Sequence, residues 1–174
     1  IMNALIGAAA DPEAMVRITA VRALGLISDP RIPPVLAAHL TDEARLVRVS
    51  AAEALTAHGV VQLAGPPGEA LTRALDEWAD SLRTFNDVSA DHTTLGWLEA
   101  TRGRREEAEK ELKTAIALDP ADARPHVYLG VLAAREGHFE EAVKHFKAAK
   151  VITPGYRNLD RLLDEASGRG TKKH

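Results

Sequence analysis

The chain has 174 residues, 45% of them hydrophobic and 27% charged, with a formal net charge of −3. This is enough for an extensive apolar core and excludes wholesale disorder. No cysteine is present, so disulfides, thiolate metal sites, a cysteine nucleophile and Cys-x-x-Cys-His haem attachment are excluded within these residues.

Aromatics make up only 4% and the apolar content is mostly Ala, Leu, Val and Ile, which suits close-packed helices and predicts helix almost throughout. Charge is spread evenly: −1 over residues 1–67 (5 basic, 6 acidic), −3 over 68–88 (2 and 5) and +1 over 89–174 (15 and 14). Such a chain offers no large basic field to a phosphate backbone, and the terminal Arg169, Lys172 and Lys173 read as a solvated tail, so no nucleic-acid partner is expected. No apolar run reaches the length of about 18 residues that a membrane span needs, so no membrane insertion is expected.

The first residues already read as the inside of a helix, with Ile1 before Met2, which suggests a fragment of a longer polypeptide and an array truncated at its N-terminal side. Val16-Arg17-Ile18-Thr19-Ala20-Val21-Arg22-Ala23-Leu24 then returns as Val47-Arg48-Val49-Ser50-Ala51-Ala52-Glu53-Ala54-Leu55, an offset of 31 that also relates Asp11 to Asp42 and Leu5 to Leu36. Each unit reads as a helical hairpin. Asp11 and Asp42 are placed to cap the second helices, Asp29-Pro30 and Pro33-Pro34 punctuate the units, and Val16, Leu24, Val47 and Leu55 are expected in the core with small Ala20, Ala23, Ala51 and Ala54 between helices.

The aspartate turn, Val-Arg and Ala-rich second helix resemble the short HEAT-like repeat family over residues 3–58. That resemblance implies a structural role for Arg17 and Arg48, pairing with a turn aspartate of their own or a neighbouring unit. Gly65-Pro66-Pro67-Gly68 reads as a bend that ends the HEAT-like part at residue 64. A linker helix follows within 65–88, its stripe of Leu71, Leu75, Trp78, Leu82 and Phe85 expected to pack the two arrays together.

From residue 89 the period becomes 34: Leu95-Gly96, Gly103, Ala108, Ala115 and Pro120 recur as Leu129-Gly130, Gly137, Ala142, Ala149 and Pro154. This pattern resembles the tetratricopeptide repeat, two copies over 89–155. Gly96 and Gly130 would permit close helix contact, Gly103 and Gly137 suit the turn, and Leu112 and Phe146 take the large second-helix position. Two departures from the family occur: His92 and His126 stand where it favours Trp, and Glu99 and Ala133 where it favours Tyr. Those swaps are expected to weaken the repeats, the histidines acting as packing residues. Residues 156–174 supply a capping helix bearing Leu159, Leu162 and Leu163, then a tail expected to be disordered beyond Gly168. The fold expected is all-α, an α-solenoid of helical hairpins, its short arrays depending on each other for stability.

None of the seven histidines forms a metal-ligand pair with an acidic neighbour on one helical face, and no phosphate-binding loop, Gly-x-Ser-x-Gly or strand pattern appears. No catalytic residues, metal or cofactor are expected. The tetratricopeptide resemblance implies a concave groove lined by the first helices, matching Thr93, Trp97, Ala100, Thr101, Arg124, Val127, Val131, Ala134 and Arg135, open to a protein or peptide partner. Trp97 reads either as a binding anchor or as packing against the linker helix. The family's carboxylate-clamping Lys and Asn are replaced by Thr93 and Trp97, which argues against that role. HEAT-like repeats, an aromatic-ended helix, Asn86-Asp87 and then Leu95-Gly96 also resemble the C-terminal region of bacterial multihaem cytochrome c proteins. That resemblance implies an accessory domain of an exported electron-transfer protein, periplasmic, with a covalently linked upstream haem domain. The leading expectation is a non-catalytic interaction scaffold; a third reading is an array that only extends a solenoid.

Overall fold

The computed structural model describes residues 1–84 and 87–170; Phe85 of the expected stripe, Asn86 of the Asn-Asp pair, and Lys172 and Lys173 of the basic tail lie outside the described residues. Every regular element among the described residues is helical: α1 (Met2–Ala8), α2 (Ala14–Gly25), α3 (Ile32–Ala38), a 3₁₀ turn (His39–Thr41), α4 (Arg45–Ala57), α5 (Gly65–Arg83), α6 (Ser89–Thr101), α7 (Arg105–Leu118), α8 (Arg124–Arg135), α9 (Phe139–Ile152) and α10 (Leu159–Gly170). They form two units, Ile1–Ser81 and Leu82 onward.

In the first unit α1 pairs with α2 and α3 with α4, and α4 packs along α2. Leu24, Leu36, Val47, Ala51 and Leu55 are fully buried. Val16 departs from expectation: it is 39% exposed, although its repeat equivalent Val47 is buried. The capping expectation is also corrected. Helices α2 and α4 begin at Ala14 and Arg45, after Glu13 and Ala44, and neither has a side-chain cap. Instead the Asp11 and Asp42 carboxylates accept the N–H groups of Glu13 and Ala44, each at 2.8 Å, so they brace the turn one step ahead of the helix.

The two arginines behave alike. Nη1 of Arg17 donates to the carbonyls of Asp11 and Pro12, and Nη1 of Arg48 to those of Asp42 and Glu43. The other edge of each guanidinium grips a carboxylate two-pronged: Arg17 holds Asp42 at 2.8 and 2.9 Å, and Arg48 holds Glu77 of α5 at 3.0 and 2.6 Å. The Arg17 guanidinium holds the Asp42 carboxyl below its ordinary value, against its partial burial.

Gly65-Pro66-Pro67-Gly68 is not a bend but the first turn of α5, where proline's missing N–H costs nothing; the break in the chain lies just before it, and Gly65 carries a φ of 62°. Leu71, Leu75 and Trp78 of the expected stripe are buried and Leu82 is half-buried.

In the second unit α6 pairs with α7, α8 with α9, and α10 packs on α9. Gly103 and Gly137 hold φ values of 77° and 81° in the interhelical turns, left-handed conformations that any other residue would strain. A Cβ on Gly96 would meet Leu112, and one on Gly130 would meet the Phe146 ring, which is why both first helices lie so close to their partners. Ala108, Leu112 and Ala115 are fully buried, as are Ala142, Phe146 and Ala149. α10 continues through Gly168 to Gly170, further than its glycines suggest, with Leu159 and Ala166 buried against the last hairpin.

Glu99 is 0% exposed, and it does not sit there as a mere defect: Arg83 donates to it at 2.8 Å, with Arg104 and Arg102 at 3.4 and 3.7 Å. Nor do the repeat-equivalent histidines only pack. Nδ1 of His92 lies 2.6 Å from Glu111, and Nδ1 of His126 lies 3.2 Å from Nδ1 of His145, the 34-residue equivalents of one another. Burial lowers the pKa of both His126 and His145, the latter further disfavoured by His126 and opposed by Glu141, with Lys144 and Lys113 adding to the lowering. A lowered value means the unfolded chain binds protons that the fold resists, so stability falls as pH drops below the ordinary histidine value of about 6.5. Thermal melts are expected to show a lower Tm at pH 5 than at pH 7, and the double change His126→Asn/His145→Asn is expected to shrink that difference. An unchanged difference would show that the pair does not carry it.

Candidate protein-interaction face

The expected groove residues divide sharply by burial. Thr93 and Val127 are 2% and 6% exposed, so they belong to the interior and are removed from the candidate surface. Both sit on the sides of α6 and α8 that face neighbouring helices, and the Thr93 hydroxyl donates back to the Ser89 carbonyl at 3.0 Å. Trp97, Ala100 and Thr101 of α6 and Val131 and Ala134 of α8 are half-buried, while Arg124 and Arg135 at the two ends of α8 are exposed.

The two arginines differ in what holds them. Arg124 grips Asp122 at 2.8 and 3.0 Å. Burial pushes the Asp122 carboxyl up, but the Arg124 bonds outweigh it and hold it below its ordinary value. Arg135, by contrast, borders a cavity of about 180 Å³ that it lines with Val131, Ala134, Phe139, Phe146, Leu162, Glu165, Ala166 and Arg169. Thus the structure brings Val131, Ala134 and Arg135 together with the inner side of α10. Trp97, Thr101 and Arg124 do not line this cavity.

The contribution of α10 was missed in the sequence, where Leu162 was read only as part of a cap. Its signal was present in the spacing of Leu159, Leu162 and Leu163 followed by Ala166, an apolar stripe on an otherwise polar helix. What makes it a candidate site is that Leu162 and Ala166 meet Val131 and Phe139 across a gap, with cations at its edge. Among the described residues, no group of three or more His, Asp or Glu is placed to share a metal ion, and no helix is long and apolar enough to cross a membrane.

Hairpins stacked in register, with periods of 31 and then 34 residues, define an α-solenoid repeat protein. Family profiles resolve it further: that described as HEAT repeats matches residues 2–84, and that described as Tetratricopeptide repeat matches residues 93–157. The chain therefore carries HEAT repeats followed by tetratricopeptide repeats, and the HEAT match takes in α5, the helix expected to be a linker. No curated protein matches the sequence. Among solved structures, one titled "Crystal structure of MamA protein" is similar with a TM-score of 0.51 at 16% identity, covering 98% of this chain and 88% of that one, a likeness of fold. None of these similarities concerns a cytochrome.

Proposed function

We propose that this chain is a non-catalytic protein-interaction scaffold, and that its tetratricopeptide part takes a peptide on the face formed by α8 and α10, with Trp97, Thr101 and Arg124 extending it. The observation that carries this reading is the apolar cavity bounded by Val131, Phe139 and Leu162 and edged by Arg135 and Arg169. Neither arginine has an ion pair among the described residues. An aliphatic or aromatic anchor would enter the gap, and an acidic neighbour would meet the guanidinium groups at its rim. Arg124, already held by Asp122, has less to offer a carboxylate.

Selection of peptides from a random display library on the full chain tests this. Recovered peptides are expected to pair an apolar side chain with an adjacent acidic one, and Arg135→Glu/Arg169→Glu is expected to weaken them about tenfold or more while leaving the fold intact. Val131→Glu should abolish binding. Recovery of no peptide, or binding untouched by these changes, would remove the face from consideration.

A further inference from the structure

The first unit contains two rungs of a charge ladder and one acceptor with no rung. Arg17 spans from the carbonyls of its own turn to the Asp42 carboxylate one repeat on, and Arg48 spans in the same way to Glu77. Asp11 stands in the position of Asp42: its carbonyl receives Arg17 and its carboxylate receives the Glu13 N–H, just as Asp42 receives Arg48 and the Ala44 N–H. Among the described residues, however, no arginine reaches the Asp11 carboxylate.

The apolar contacts show the same displacement by one repeat. Leu36, Val47 and Ser50 are 0%, 0% and 1% exposed, on the surface that α4 and α3 turn to α2. Their equivalents, 31 residues earlier, are half-buried Leu5, Val16 at 39% exposure, and exposed Thr19. These three line an open groove of about 360 Å³ between α1 and α2, with Ala8, Met15 and Ala20. The groove is thus the established stacking interface repeated once more, apolar side chains and turn carboxylate included.

We propose that this face of α1 and α2 docks a further HEAT-like helical hairpin, whose second helix carries an arginine that grips Asp11 as Arg17 grips Asp42. The occupant is specified by the register: apolar groups opposite Leu5 and Val16, and a guanidinium opposite Asp11, the combination that the first hairpin itself presents to the second. This inference is independent of the peptide face on α8 and α10.

The test is a chain in which a second copy of residues 1–31 is fused ahead of Ile1, so that the copy's Arg17 falls 31 residues before the native one. If the hairpin docks, Tm rises by about 5 °C or more. Asp11→Asn at the native position then lowers Tm by about 3 °C in the extended chain and by under about 1 °C in the parent, and alanine at the copy's arginine mimics it. Val16→Glu at the native position removes the gain, while the parent, where Val16 already meets water, tolerates it. An extended chain that melts no higher, or an Asp11→Asn effect equal in both chains, overturns the proposal. So does a concentration-dependent dimer of the parent chain that Val16→Glu dissolves, because that would assign the face to a second copy.

Discussion

Replacing Glu99 by alanine is expected to cost about 3–5 kcal/mol of stability, the usual consequence of removing one partner from a buried ion cluster. The carboxylate is 0% exposed and faces three guanidinium groups, those of Arg83, Arg104 and Arg102, at 2.8, 3.4 and 3.7 Å. Arg83 and Arg104 have side chains 46% exposed and can turn to water when the carboxylate goes, but Arg102, at 7%, cannot follow them. The loss is therefore dominated by the removal of a carboxylate from beside a buried cation. Urea denaturation followed by circular dichroism measures it, and a loss under about 1 kcal/mol would mean that water reaches the cluster. A companion variant separates charge from packing. Glu99→Leu/Arg102→Leu removes both buried charges and should recover most of the loss, because an apolar pair of similar volume replaces an ion pair at little net cost.

Phe146→Ala is expected to be comparably severe, about 3–5 kcal/mol. Its ring is 1% exposed within a cluster that includes Val127, Ala142, Ala149 and Leu159, and it also floors the cavity beside Val131. The same ring explains the glycine opposite. A Cβ on Gly130 would strike the ring edge, so Gly130→Ala should cost about 1–3 kcal/mol by overpacking. In the first repeat a Cβ on Gly96 would instead meet Cγ of Leu112 at 2.6 Å and the Ala108 backbone carbonyl oxygen at 3.1 Å, neither of them a free side-chain end, and Gly96→Ala should cost a similar amount. The pair Gly130→Ala/Phe146→Leu should cost less than the sum of its parts, since each change makes room for or against the other. Strict additivity in the same denaturation measurements would show that the two residues do not share that contact.

How much of this was legible beforehand varies by the kind of interaction. The core positions were readable almost residue by residue, because an amphipathic helix must repeat its apolar groups every three or four positions and the two arrays repeat them again at 31 and 34. The separate roles of Gly130 and Phe146 were readable, since a glycine on one helix and a large residue on the next are both visible in a 34-residue pattern, but their contact was shown by the structure. Val16 was misread because the pattern marks it as equivalent to Val47 without saying whether a neighbouring hairpin covers it. Two of the nine expected groove residues were interior for a related reason: a first helix in a solenoid contacts its partner and both neighbours, so Thr93 and Val127, although on α6 and α8 as expected, are buried in the stack.

The charged residues were the least legible. Glu99 looked like a weak substitute for an aromatic residue, yet its partners lie at separations of 16, 3 and 5 residues, on α5 and in the turn after α6, and only the close approach of those segments assembles them. Likewise, Glu77 falls outside the apolar stripe of α5, yet it takes in its own unit the place that Asp42 takes one repeat earlier. The sequence by itself determined the helical class, the two repeat periods and most of the buried apolar positions, because those depend on local periodicity that every hairpin shares. Which carboxylate meets which arginine, which equivalent positions are covered, and where an apolar gap remains open were decided by the tertiary structure alone, because they depend on how far one packed hairpin reaches toward the next.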